Sequence, residues 1–496
     1  MNPWIPFDLL PADTVPEWIR VALVALDLLL KLVALGWIPH QRRPSVALAW
    51  LLGIFLVPYA GIVLFVVIGS SRLPRARMAK QARMNHVIQE NTPEGVTPGP
   101  EFDRYPEWVR TTAELNQNLG ALPMVGGNDF EILPDNHLAM ARMAAEVDAA
   151  TDYVHFEFYI VAVDHVSRDL LNALIRAHER GVRVRILIDH VGSLGYPGYA
   201  ELVRKFDRSG VPWRRMLPIR PWRGEWQRPD LRNHRKILVV DGQVAYTGSQ
   251  NIIHRSYNKA KNVRKGRQWK DLMIRGTGAV VTELNAVFVS DWYSETDDLL
   301  LDESPAALEQ ASGPMFAQVV PSGPGFETEN NLRLFNHLIY NANHRVVISS
   351  PYFVPDESLL HALTTEAQAG VRIQLFVGET SDQFLAQHAQ NSYYSELARA
   401  GVEIHRYSSP TVLHAKFVLV DDIVSVIGSS NMDERSFALD LEVSVMIVDH
   451  GFRERMERIV EQFTAHSTRL DLDAWEKRSL GRKFVENVCR LTSGLL

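Results

Sequence analysis

One pattern, H-x-K-x4-D-x6-G-S-x-N, occurs twice in this chain with identical internal spacing. The first copy is His234, Lys236, Asp241, Gly248, Ser249 and Asn251; the second is His414, Lys416, Asp421, Gly428, Ser429 and Asn431. Each His and Lys are two residues apart beside an apolar, β-branched run, Ile237–Val240 or Phe417–Val420, so the period of a strand points both side chains to one face. A lone His-x-Lys on a strand is an ordinary amphipathic edge, but six matched positions repeated at the same offsets are not. The chain is expected to fold as two related units in which two imidazoles and two ammonium groups meet in one pocket.

The repeat extends upstream of the motifs. Tyr153 to Val161 reads as a strand, Ser167 to Arg180 as a helix and Gly181 to Ile188 as a second strand. Arg345 to Tyr352, Glu357 to Ala369 and Gly370 to Val377 repeat that order. The alternation predicts α/β lobes with mixed, largely parallel sheets flanked by helices. Neither lobe carries both histidines, so the site is expected on a pseudo-twofold axis between them. A chain of 496 residues has room for two such lobes and an appendage.

The residue types suit attack on a phosphodiester, because a phosphate needs cations and hydrogen-bond donors while charge builds on its oxygens. Lys236 and Lys416 supply the cations, and Ser249, Asn251, Ser429 and Asn431 are candidate phosphate-binding donors. One histidine can attack phosphorus while the other protonates the departing oxygen and later deprotonates the incoming one. This scheme requires neither a metal nor a cofactor. Asp241 and Asp421 belong to the catalytic motif, yet they fall at strand ends in Asp-Gly and Asp-Asp turns, where supporting the loop backbone is the expected role.

The pattern resembles the phospholipase D superfamily, whose two HKD motifs form one active site between two related lobes. The resemblance implies that the acid in the strand after each motif, Asp271 and Glu442, hydrogen-bonds a catalytic imidazole and fixes its tautomer. It also implies His234 as nucleophile and His414 as general acid, then base. The symmetry of the motifs alone leaves that order reversible.

The appendage is N-terminal. Trp18 to Ile38 is mostly Leu, Val and Ala, interrupted by Asp27 and Lys31 at an i,i+4 spacing that pairs on one helix face. Val46 to Ile68 is a cleaner apolar run containing Pro58 and Gly61. Each is long enough as a helix to cross a hydrocarbon core of about 30 Å. A signal peptide is disfavoured for the first run, which lacks a small-residue cleavage site and is followed at once by a second apolar segment. The expectation is an uncleaved transmembrane hairpin joined by His40–Ser45. Arg72, Arg75, Arg77, Lys80 and Arg83 follow the second run, against Arg42 and Arg43 in the turn, so the lobes are expected on the cytoplasmic side of the membrane.

The expected organisation is a hairpin over 1–70, a juxtamembrane linker over 71–121, a first lobe over 122–294, a connector over 295–313 and a second lobe over 314–496. A formal net charge of −6 carries no nucleic-acid signature, and the single cysteine, Cys489, excludes an internal disulfide. There is no H-E-x-x-H, cysteine cluster or P-loop. Trp213, Arg214, Arg215, Arg220, Trp222, Arg223, Trp226 and Arg228 interleave Arg and Trp, which suits a lipid headgroup interface, stacked bases or a solvated loop. Lys259, Lys261, Arg264, Lys265 and Arg267 form a basic insertion after the first motif. Trp475 to Leu496 reads either as an interfacial amphipathic helix or as a packing helix.

Taken whole, two N-terminal spans before two HKD lobes resemble the bacterial cardiolipin synthases. The resemblance implies transfer of a phosphatidyl group from one phosphatidylglycerol to another, with the bilayer as partner and no nucleic acid. A phospholipase D that hydrolyses lipids would share every catalytic residue. A phosphatidylserine synthase of the same superfamily fits the hairpin less well, and a membrane-tethered nuclease or nucleic-acid-binding protein would use the Arg/Trp stretch and the basic insertion instead.

Overall fold

The computed structural model describes residues 16–40, 44–69, 73–91, 98–120, 122–223, 225, 227–300, 303, 313–326 and 328–491. Arg42, Arg43, Arg72 and Trp226 lie outside the described residues, as do half of the turn between the apolar runs and most of the 295–313 connector. The chain divides into two compact units, Met1–Ser71 and Arg72–Leu496.

The first unit contains the helices Glu17–Trp37, Pro44–Leu56 and Pro58–Ile68. Asp27 and Lys31 pair on the first of them at 2.7 Å. The second apolar run, expected to be continuous, breaks at Val57, whose φ of −135° and ψ of 74° are not helical. The cause is Pro58, which lacks an N–H and clashes with a helical conformation in the residue before it. Among the described residues no helix is long and apolar enough to cross a membrane.

The second unit is built on two mixed sheets. In the seven-stranded sheet the order is Asp129–Leu133, Met273–Thr277, Val244–Gly248, Lys236–Val240, Tyr153–Phe158, Arg183–Asp189 and Trp213–Met216. The nine-stranded sheet runs Val125–Gly127, Gly313–Ser322, Glu442–Val448, Val424–Gly428, Phe417–Val420, Arg345–Ser349, Arg372–Gly378, Glu403–Tyr407 and Ser467–Arg469. The motif strands hold the same place in both: Lys236–Val240 and Phe417–Val420 each pair antiparallel with the first strand of a parallel set. Parallel pairing is thus confined to one side of each sheet, with the hairpins that follow the motifs antiparallel.

Alternation along the motif strands divides the core. Ile237 and Val239 face a central cluster shared with Phe417, Leu419 and Val445, while Leu238 and Val240 face an outer cluster under the helices Asn136–Ala149 and Arg168–Glu179. The helices Val280–Thr296 and His450–Ala465 send Leu284, Val287, Met456 and Val460 into the central cluster, so the two sheets share one apolar layer.

Two boundaries differ from expectation. Val125–Gly127, placed in the first lobe by sequence, pairs antiparallel with Gly313–Ser322 and so extends the second sheet. The stretch expected to be a linker includes the helices Arg75–Asn91 and Glu107–Asn118. The first is held to Val280–Thr296 by a bidentate Arg77–Glu295 pair at 2.7 Å and by Gln81 on Ser290, and the second by Thr112 against His337 at 2.8 Å. These polar contacts stand beside a few apolar ones, Met84 from the first helix and Val109 and Ala113 from the second.

Asp241 and Asp421 sit at the far end of the motif strands from the histidines. Asp241 accepts from the backbone N–H groups of Thr151, Asp152 and Tyr153, and Asp421 from those of Asn343, His344 and Arg345. Each ties down the residues that open a parallel strand, at positive φ (51° and 49°). Neither lines the cavity described below, so although they belong to the catalytic motif they are grouped with the structural residues and not the catalytic ones, as their turn contexts lead one to expect. We expect Asp241→Ala to cost about 1–3 kcal/mol in chemical denaturation, by orphaning three N–H groups, while the folded fraction keeps its specific activity.

Candidate active site

The strands begin at Lys236 and Phe417, so both histidines precede them in short extended segments. Those segments are positioned by the opposite lobe. The His234 N–H donates to Leu441 O at 2.8 Å, and the His414 N–H donates to Lys270 O at 2.8 Å. Leu441 and Lys270 are the neighbours of the two acids, so each backbone bond sets a carboxylate beside an imidazole of the other lobe. His414 Nδ1 lies 2.6 Å from Asp271 Oδ1, and His234 Nδ1 lies 3.2 Å from Glu442 Oε1. The exchange is reciprocal.

The basic insertion after the first motif has a part in this. Its end, Gln268–Lys270, pairs in parallel with Thr411–Leu413 immediately before His414. The motif glycines contribute through close approach. A Cβ on Gly248 would come 2.4 Å from Leu272 O, and one on Gly428 would come 2.3 Å from Val443 O. That contact lets Ser249 Oγ donate to Asp271 Oδ1 at 2.9 Å and Ser429 Oγ donate to Glu442.

Both motif serines were expected to face phosphate, but their hydroxyls are engaged with the acids, and Ser249 is fully buried outside the cavity lining. Asn251 lines the cavity, with its Oδ1 taken by the Ile160 N–H and its Nδ2 donating to Tyr257 at 2.8 Å. Asn431 and Ser429 line it from the other lobe. The cavity, of about 200 Å³, brings together His234, Lys236, His414 and Lys416. The lysines are held above the motif backbone: Lys416 Nζ donates to His414 O at 2.9 Å, and Lys236 Nζ donates to His234 O.

Electrostatics break the pseudo-twofold. Burial opposes the charge on Asp271, but His414, Lys416 and Ser249 outweigh it and hold this carboxyl well below the usual range. Burial raises Glu442 to about 7 despite Lys236 nearby. It also lowers both imidazoles, His234 to about 3, and lowers Lys416 to about 7 with help from Lys236. His414 therefore has a firmly ionised partner at short range, whereas His234 has a weaker one.

Sequence reasoning missed several cavity residues. Asp440, fully buried, places Oδ2 3.2 Å from His234 Nδ1 and 3.4 Å from Arg435 Nε, and burial lifts it to about 6. It stands two residues before Glu442, where the first lobe has Trp269 before Asp271. That mismatch was readable by aligning the repeats. Asp433 also lines the cavity, raised to about 6 by burial, as do Tyr159, Tyr257 and Trp269; Tyr352, a candidate lining residue on sequence grounds, completes the aromatic walls.

Among the described residues, His234, Asp440 and Glu442 alone have metal-ligand atoms grouped within 4.8 Å. The set does not fit a cation well. Glu442 takes the Ser429 hydroxyl, Asp440 faces Arg435, and Lys236 and Lys416 already supply positive charge to the same cavity.

The Arg/Trp stretch is partly structural. Arg215 stacks 4.4 Å over Trp213, whose Nε1 donates to Asp207, and Arg220 pairs with Glu225, leaving Trp222 78% exposed.

Comparison with known proteins agrees with this geometry. A family model described as "Cardiolipin synthase, PLD-like domain" matches residues 143–292 and 335–465, which include both motifs. Cardiolipin synthase A of Proteus mirabilis is 31% identical over 465 residues, 92% of this chain and 94% of that protein. Cardiolipin synthase A of Serratia proteamaculans is 31% identical over 490 residues, 97% of each chain. The crystal structure of phosphatidylserine synthase from Haemophilus influenzae Rd KW20 shares the fold, with a TM-score of 0.57 at 16% identity over 78% of this chain and 100% of that one. With two reciprocally braced HKD motifs in one cavity and matches across both lobes, the chain belongs to the cardiolipin synthase family of phospholipase D-like proteins.

Proposed function

We propose that the protein is a cardiolipin synthase, transferring a phosphatidyl group from one phosphatidylglycerol to a hydroxyl of another and releasing glycerol. The observation that carries this reading is the convergence of two carboxylate-braced histidines and two lysines on one cavity. The near full-length likeness to cardiolipin synthase A favours transfer over hydrolysis by a phospholipase D. We place the lobes at 122–294 and 314–496, with Val125–Gly127 lent to the second sheet.

His234 is the nucleophile in this reading. Its low proton affinity keeps Nε2 unprotonated, while Asp440 and Glu442 hold Nδ1. The nitrogen attacks phosphorus and the bond to the glycerol oxygen breaks as His414, its imidazolium supported by Asp271, donates a proton to that oxygen. A hydroxyl of the second phosphatidylglycerol then gives its proton to His414 and attacks phosphorus, and the bond from nitrogen breaks. Lys236, Lys416 and the Asn431 amide balance charge on the nonbridging oxygens. The aromatic walls limit water, which would otherwise divert the intermediate to hydrolysis.

The N-terminal unit serves as a multi-pass anchor in the bacterial cytoplasmic membrane, with the catalytic unit on the cytoplasmic side. The exposed Leu and Val side chains along Glu17–Trp37 and the helices after it support this, as does the basic helix Arg75–Asn91 that follows.

Incubating the purified chain with labelled phosphatidylglycerol in EDTA should yield cardiolipin and glycerol in equal amounts. Phosphatidic acid as the main product would favour a phospholipase D, and activity that returns only with a divalent ion would overturn the metal-free scheme.

His234→Ala should abolish both the phosphoenzyme and turnover. His414→Ala should block turnover yet trap the intermediate when the donor carries a good leaving group. A phosphatidyl group found on His414 would reverse the assignment. A third expectation concerns Asp440: ionised above about pH 6, its carboxylate 3.2 Å from His234 Nδ1 supports positive charge on that ring, and protonated below about pH 6 it does not. The kcat/KM profile should therefore rise between about pH 6 and 7 as Asp440 and Glu442 ionise, and Asp440→Asn should remove the lower part of that limb, whereas Asp433→Asn should leave it.

A further inference from the structure

The C-terminal helix Leu480–Arg490 packs with Glu486 inward. Glu486 is 1% exposed and receives Arg478 at 2.8 Å, Arg482 at 3.2 Å and Asn391 at 3.2 Å, and Cys489 on the same face is buried. Arg490 stacks 4.2 Å over Tyr393 and reaches Glu396. These contacts fasten the helix to Phe384–Ala400.

The opposite face is apolar and bare. Leu480 (83% exposed), Phe484 (69%), Val488 (46%) and Leu491 (86%) recur at three- to four-residue spacing and form one stripe. A soluble surface gains nothing from such a stripe when the same helix has charged residues to present. Its border is basic: Lys477 and Arg482 are exposed and Lys483 half-buried beside it, while Glu486, the one anion between Lys477 and Arg490, is buried. An apolar stripe with a cationic border matches an anionic bilayer, acyl chains meeting the stripe and headgroups meeting the border.

The supporting helix also connects this surface to the active site. Phe384–Ala400 begins at the cavity, where Gln383 and Ala386 are lining residues, and its first turn exposes Phe384 (64%) and Leu385 (47%). The contacts Asn391–Glu486 and Glu396–Arg490 advance along both helices in the same sense, which directs the Leu480 end toward Phe384.

We infer that Leu480–Arg490 is an in-plane docking helix that seats the catalytic unit on an anionic lipid surface, through Leu480, Phe484, Val488 and Leu491, with the cavity mouth toward the same surface. The inference rests on the reading of an anionic lipid substrate, and it adds a contact that the N-terminal unit does not provide.

The test uses the full chain carrying Phe484→Cys, reconstituted in vesicles of phosphatidylglycerol or of phosphatidylcholine and treated with a water-soluble maleimide. Glu179→Cys, exposed at the end of Arg168–Glu179, is the reference site, and the unaltered chain gives the background from Cys489. The 484-to-179 rate ratio should fall by about tenfold or more in phosphatidylglycerol, a difference of about 1.4 kcal/mol. Adding Leu480→Glu should restore the ratio. Equal ratios in both vesicles would overturn the inference, as would disulfide-linked pairs through position 484 with protection that persists in detergent, which would identify a second copy as the occupant. Labelling needs no turnover, so protection without cardiolipin synthesis would sink the functional reading alone, and synthesis without protection would sink this one.

Discussion

Everything at the cavity depends on an exchange of carboxylates between lobes. Asp271 from the first lobe braces His414 of the second, and Glu442 from the second braces His234 of the first. The exchange is set by two backbone bonds, His234 N–H to Leu441 O and His414 N–H to Lys270 O, and these exist only when the lobes are docked. Neither lobe alone can orient its own histidine, so folding of the pair and assembly of the site are one event. This gives the shared apolar layer between the sheets a functional consequence, because its packing fixes the separation of the two imidazoles.

The pseudo-twofold supplies the parts and then departs from symmetry where two chemical roles are needed. Asp271 is surrounded by donors and stays ionised, whereas Glu442 is buried beside a second carboxylate, Asp440, and is raised toward neutrality. A histidine on a firm carboxylate is suited to carrying a proton, and one with low proton affinity is suited to attack. The difference traces to burial, which the cations and donors around Asp271 outweigh and those around Glu442 do not; Asp440, where the other lobe has Trp269, partly offsets burial at His234.

Polar contacts account for much of what periodicity hid. The helices Arg75–Asn91 and Glu107–Asn118 join the catalytic unit through Arg77–Glu295, Gln81–Ser290 and Thr112–His337. The C-terminal helix buries Glu486 and leaves Leu480, Phe484 and Leu491 outside, against the usual rule for an amphipathic helix. In each case a side-chain network satisfied by a distant partner helps decide which face is buried, alongside a small apolar contribution from Met84, Val109 and Ala113.

The sequence by itself determined the paired α/β lobes, the twelve motif positions, the two acids and the helix–strand repeat, because these depend on local spacing and on alternation that each segment carries within itself. It also made Asp241 and Asp421 legible as loop supports, from their turn contexts. Only the tertiary structure decided which acid meets which imidazole, that Ser249 and Ser429 serve the acids, that Asp440 stands beside His234, and that Val125–Gly127 joins the second sheet. These are contacts between residues far apart in the chain, and no local period encodes the partner across an interface.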